Sequence, residues 1–177
     1  MYMSIAELVA DSVSSKQPIS ELIIKQECEK SHSSREEVWH EMEKNLSVMR
    51  AAVEKGAHGK GVFSKTGLTG GEAAMIRKYR KNHVTLSGDA MVEAVQNAIA
   101  TNEVNASMGV VCATPTAGST GTLPGVLFIL EKRLGLSDED MVRFLFTASA
   151  FGMIVANNAM IAGATGGCQA EVGSASA

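Results

Sequence analysis

Proline and cysteine are both scarce. The prolines are Pro18, Pro115 and Pro124, and the cysteines are Cys28, Cys112 and Cys168. No two cysteines form a C-x-x-C pair, so neither a zinc ribbon nor a thioredoxin-like motif can be read. Their odd number argues against a disulfide framework. A basic block is missing as well: net charge is −3. That argues against a nucleic-acid partner, because phosphate binding needs clustered Lys and Arg. The opening MYMSIAELVADSVSS lacks the basic region and apolar core of a secretory signal. The longest mostly apolar run, Met141 to Met160, is broken by Arg143 and by Asn157-Asn158, and reads as a buried helix rather than a membrane span. A cytoplasmic protein is expected.

What is present is the composition of a folded chain: 45% apolar and 20% charged residues over 177 positions, enough for one domain with a core. The patterning is helical nearly throughout. Ser4-Ile5-Ala6-Glu7 and Ser34-Arg35-Glu36-Glu37 both read as capping boxes, and Pro18 suits the start of a second helix. Val38, Met42, Leu46, Met49 and Val53 form one apolar stripe, with Gly56 as the expected stop. Further helices are expected over EAAMIRKYRKN, from Asp89 toward Asn105, from Leu123-Pro124 to Gly135, and from about 138 to 157. The nearest strand candidate is VNASMGVVCA. The expectation is a single all-α domain over 1–177 with three irregular, small-residue segments: 56–71, 112–122 and 163–174.

Those segments carry the candidate chemistry. Each precedes a helix, whose first turn presents unpaired N–H groups and partial positive charge. In ATPTAGSTGTLPG, residues 113–125, small residues admit an anion close to the backbone, and Thr116, Ser119, Thr120 and Thr122 add hydroxyls. Pro115 stiffens the entry and Pro124 suits the first turn of the next helix. The same spacing also fits a plain turn and cap. Cys168, in GATGGCQAEVGSA, is compatible with a nucleophile or soft-metal ligand at a helix N-terminus, and equally with a small buried hydrophobe. Cys28 and Cys112 read as structural. His58 is the weak candidate for a base; His32 and His40 read as solvated, and His83 as a helix-end residue. Glu72 and Glu171 each open a helix, where a carboxylate is favourable without a catalytic role.

Taken together, GLTGGEA (67–73), NEVNASMGVVCATPTAGSTGTLPGVL (102–127) and GATGGCQAEVGSASA (163–177) resemble the alpha chain of bacterial iron–sulfur L-serine dehydratase. The resemblance implies a helical catalytic domain, a [4Fe–4S] cluster acting as Lewis acid, conversion of L-serine to pyruvate and ammonia in serine catabolism and gluconeogenesis, a separate beta chain, and an oligomer. It implies that Cys168 is the first cluster ligand. The substrate carboxylate would be held by Pro115, Thr116, Ala117, Gly118 and Ser119, with Thr66, Thr69 and Gly70 next. The family often has Ser at Thr66 and Asp at Glu72, and both changes keep the polar group. Two further cluster cysteines would lie beyond Ala177, so the chain is expected to be about the N-terminal 60% of an alpha chain, inactive alone, with an unsettled tail after Gly163. The alternatives are a related cysteine desulfidase-type lyase and a non-catalytic helical interaction module built on the Met-containing stripe.

Overall fold

A computed structural model describes residues 2–177. The described residues form an all-α architecture with no strand, only an isolated antiparallel bridge between Phe63 and Gly70. The helices are α1 (Ile5–Ser15), α2 (Ile19–Ser31), α3 (Arg35–Ala57), α4 (Glu72–Asn82), α5 (Asp89–Ala106), α6 (Thr122–Leu134), α7 (Asp138–Asn158), α8 (Gly163–Gly166) and α9 (Cys168–Ser176). Among the described residues no helix is long and apolar enough to cross a membrane.

Local chemistry sets most helix ends. Ser34 and Ser137 cap α3 and α7 with complete capping boxes, closed by Glu37 and Asp140. At α1 the box is half made. Ser4 Oγ accepts the Glu7 amide at 3.1 Å, but the Glu7 carboxylate accepts the Met3 amide instead of that of Ser4. Gly135 ends α6 in the left-handed region, as a glycine C-cap should. Pro124 lies within the first turn of α6, where its missing N–H costs nothing. The strand candidate is not a strand. Its first residues finish α5, Met108 turns at φ 64°, and the Gly109 amide donates to the Val104 carbonyl at 2.8 Å.

The main core joins α1, α2, α3, α6 and α7 through Leu8, Ile24, Leu127, Met141 and Val142, all essentially inaccessible. The stripe from α3 enters this core: Val38, Leu46 and Met49 are buried, and Met42 packs against them. Cys28 and Cys112 also pack on it, in line with a structural role.

α5 is approached closely from three sides by elements rich in small residues. Ala57, Ala73 and Ala100 make a second core joining α3, α4 and α5. Gly56 does not stop α3. It is buried within the last turn because the two helix backbones meet there: a Cβ on Gly56 would lie 2.6 Å from Ala100 Cα. On the α6 side, a Cβ on Gly121 would lie 2.9 Å from the Ala98 carbonyl carbon, and one on Gly125 would lie 2.9 Å from the Ala94 oxygen. Only residues without bulk permit such approaches. The consequence is a fixed α5 whose C-terminal turn carries both irregular loops. The third irregular segment, 163–174, differs from expectation: it is helical, as α8 and most of α9.

Candidate active site

The loop between α5 and α6 is built around internal hydroxyls. Ser119 and Thr120 are buried. Ser119 Oγ donates to the Thr114 carbonyl at 3.0 Å, and Thr120 Oγ1 donates to the Cys112 carbonyl. Asn105, in the last turn of α5, donates from Nδ2 to the Ala117 carbonyl at 2.8 Å. The Thr114–Pro115 peptide bond is cis. These bonds hold the loop as a fixed bend rather than a free connection. The amides of Ala117 and Gly118 donate to no other described residue.

This bend holds a carboxylate, supplied by the protein itself. Thr116 Oγ1 donates to Glu171 Oε1 at 2.7 Å. A Cβ on Gly118 would lie 2.7 Å from Glu171 Cδ, and one on Gly163 would lie 2.7 Å from the same carbon. The Glu171 carboxylate therefore sits in a slot between two glycines, with a threonine hydroxyl at one end. Cys168 is the first residue of α9, one turn before Glu171, and its thiol is exposed. The structure thus brings α9, which carries Cys168, onto the bend through Glu171. Pro115 and Ser174 to Ala177 also line one largely apolar cavity of about 1230 Å³, together with Met42, Phe144 and Met153. Cys112 lines the same cavity; burial pushes its thiol pKa up.

Thr116 is the one side-chain donor to Glu171 among the described residues. Thr116→Val should loosen α9 by about 1 kcal/mol, the net worth of a hydrogen bond in partial solvent. Hydrogen exchange of the α9 amides should rise about fivefold while α7 stays unchanged. Equal exchange in both proteins would show that the bond does not anchor the helix.

The glycine-rich segment is a second assembly. Ser64 Oγ contacts Thr66 Oγ1 at 3.2 Å and accepts the Thr69 amide at 3.3 Å. The Gly70 amide donates to Glu72 Oε2 at 2.8 Å. Gly71 cannot cap α4, having no side chain. Glu103 of α5 does it instead: its Oε1 accepts the amides of Glu72 at 2.7 Å and Ala73 at 3.3 Å. Glu103 is 4% exposed. Burial, and then the neighbouring Glu72 carboxylate, push its pKa up to about 7, while the Glu103 side chain, and then backbone amides, lower that of Glu72. Among the described residues no hydrogen bond joins this segment to the 114–119 bend. Thr66, Thr69 and Gly70 therefore hang on α5 at Glu103, and Ala117 hangs on it at Asn105.

His58 lies at the C-terminal end of α3, where its Nδ1 contacts the Glu54 carbonyl at 2.8 Å. His83 ends α4 in the same way, on the Tyr79 carbonyl. Nothing in the sequence marks Glu103, and Glu72 and Glu171 read there as helix-opening charges. Only the fold places Glu103 against a helix start 31 residues away. Glu171 lay one helical turn after Cys168, which was the available hint.

The described residues contain no group of three or more His, Cys, Asp or Glu side chains able to hold a metal ion. A cubane needs several thiolates, each on a separate iron, and Cys168 could offer one. The residues present do not by themselves make a cluster site.

These features belong to a known family. Residues 14–177 match the family model described as serine dehydratase alpha chain, and the chain is a member of that family. It is 52% identical over 99% of its length to a Bacillus subtilis protein named probable L-serine dehydratase, alpha chain, covering 58% of that protein. It is 33% identical over 90% of its length to the L-serine dehydratase, alpha chain, of Peptoniphilus asaccharolyticus, covering 54% of it. A Latilactobacillus sakei protein, also named probable L-serine dehydratase, alpha chain, is 76% identical over half of this chain. The chain thus spans little more than half the length of the first two relatives. No solved structure matches.

Proposed function

We propose that this chain serves as part of an L-serine dehydratase alpha chain, acting with a beta chain to convert L-serine to pyruvate and ammonia. The reaction removes the α-proton and the β-hydroxyl, and the resulting enamine rearranges to an imine that water hydrolyses. The observation that carries the reading is the bend at residues 114–119, which already holds a carboxylate between Thr116, Gly118 and Gly163. Serine presents the same group. The serine carboxylate would take the place of Glu171 on the Thr116 hydroxyl, beside the open amides of Ala117 and Gly118, with Pro115 and Ser119 fixing the bend, and Thr66, Thr69 and Gly70 are the further donors assigned to the substrate. Fixed donors of this kind are worth more in a shielded site than in water.

An iron–sulfur cluster, when bound by the longer protein, would supply a Lewis acid that makes the serine hydroxyl a better leaving group. Cys168 is the ligand this chain would contribute. The 177-residue chain alone is expected to form no stable cluster and to be inactive, and anaerobic reconstitution should leave it without visible thiolate-to-iron absorption. A stable cluster on it would contradict the ligand count. The substrate is tested by pyruvate release from L-serine and L-cysteine, using the full-length alpha chain with its beta chain. Turnover of serine is expected. Preference for cysteine would favour a desulfidase, and release from neither would sink both lyase readings in favour of a binding module.

A further inference from the structure

Glu103 is a buried carboxyl that the substrate bend does not use. Its Oε1 is spent on the first two amides of α4, but its Oε2 is buried with no hydrogen-bond partner. An unpartnered carboxylate oxygen in the interior is unfavourable unless it takes up a proton or an ion. The groups around it decide which. From α4 the charge beside it is Glu72, another acid, whose own amide lies 2.7 Å from Glu103 Oε1. Of the cations of α4, Arg77 donates to the Ala57 carbonyl, Arg80 is taken by Gln96, Asp89 and Glu93, and Lys78 and Lys81 are exposed. α3 presents Gly56 and Ala57 to this part of α5, and α6 meets α5 further back, at Ala94 and Ala98, through Gly125 and Gly121. These residues carry no charge, Lys60 and Lys65 of the neighbouring segment are exposed, and no Lys or Arg acts on either carboxyl. A proton on Glu103 Oε2 gives the orphan atom a donor role, with the Glu72 carboxylate as its acceptor. Glu72 in turn accepts the Gly70 amide.

We propose that Glu103 and Glu72 share a single proton, and that Glu103 is thereby the positioning residue of the glycine-rich segment, acting through Glu72 on Gly70 and Thr69. As a role in catalysis it rests on the dehydratase reading above; as a device that orders residues 61–73 it does not. The sign follows from the raised acid. The proton is held at acid pH and lost as pH rises through about 7, leaving two anions beside each other. The segment should then loosen on the alkaline side. At acid pH it should be tight until Glu72, whose pKa lies below the usual carboxylate range, is itself neutralised.

The experiment compares wild type, Glu103→Gln and Glu103→Ala. Gln imitates the protonated acid: its carbonyl accepts the two α4 amides and its NH2 donates to Glu72. The first readout is hydrogen exchange of peptides spanning 61–73 in the full-length alpha chain, corrected for intrinsic rate. Wild type should lose about tenfold in protection between pH 6 and pH 8. The Gln variant should hold it at both, and the Ala variant at neither. The second readout is the pH profile with L-serine in the alpha–beta enzyme. Gln should keep kcat near wild type and flatten the rise of KM above pH 7, whereas Ala should raise KM about tenfold at every pH. Protection in wild type that ignores pH, or an Ala variant as protected as Gln, overturns the pair. If the exchange pattern holds but L-serine is not a substrate, the dehydratase reading fails and the proton-sharing device stands.

Discussion

Gly56→Ala should lower stability by about 3 kcal/mol, at the upper end of what overpacking costs. The added Cβ would lie 2.6 Å from Ala100 Cα and 2.7 Å from its carbonyl carbon. Those are backbone atoms of another helix, so no side chain can swing away. α3 and α5 must separate, and both the second core and the anchoring of Glu103 go with them. Gly152 is the natural control. It lies within α7 at an ordinary helical conformation, with nothing within 4 Å of an added Cβ. Gly152→Ala should therefore stabilise by about 0.5–1 kcal/mol, through the reduced entropy of the unfolded chain. Urea unfolding measures both, as shifts of the midpoint in opposite directions at constant slope. A Gly56→Ala protein with an unmoved midpoint would show that the two helices do not meet there.

Cys168→Ala in the full-length alpha chain with its beta chain should reduce pyruvate formation from L-serine to background and lower bound iron. The expected loss exceeds 100-fold, because even residues that merely support a ligand typically cost about 10–100-fold in metal affinity or activity. The other two thiols separate a ligand from a general sensitivity to cysteine loss. Cys28 packs on the main core, and Cys112 donates from Sγ to the Asn45 carbonyl at 3.5 Å. Cys28→Ala and Cys112→Ala should keep their iron and most of their turnover, with a modest loss of stability. Cys168 is exposed and starts a helix, so its removal should hardly alter unfolding. If Cys168→Ala retains iron and activity, the residue is no ligand and the reading of α9 must be abandoned.

Much of the helix inventory was legible because it depends on neighbours in sequence. Ser34 and Ser137 begin helices through bonds spanning three residues, and Gly135 ends one through its own backbone freedom. Gly56 is the instructive miss. As a glycine at the end of an apolar stripe it reads as a stop, yet it is a contact point whose meaning depends on Ala100. The segment 163–174 likewise takes its form from distant contacts. Its small residues read as irregular, but they allow α8 and α9 to close around the Glu171 side chain.

By itself the sequence determined the helical class, most boundaries, and the bend and cysteine that merit attention, since capping, periodicity and proline geometry act over a few residues. Only the tertiary structure decided what those features face. It set Glu171 into the slot formed by Gly118 and Gly163, and Glu103 beneath the start of α4. Neither pairing could be inferred from spacing, because a carboxylate's partner and proton depend on which distant backbone amides, acids and apolar walls the fold packs around it.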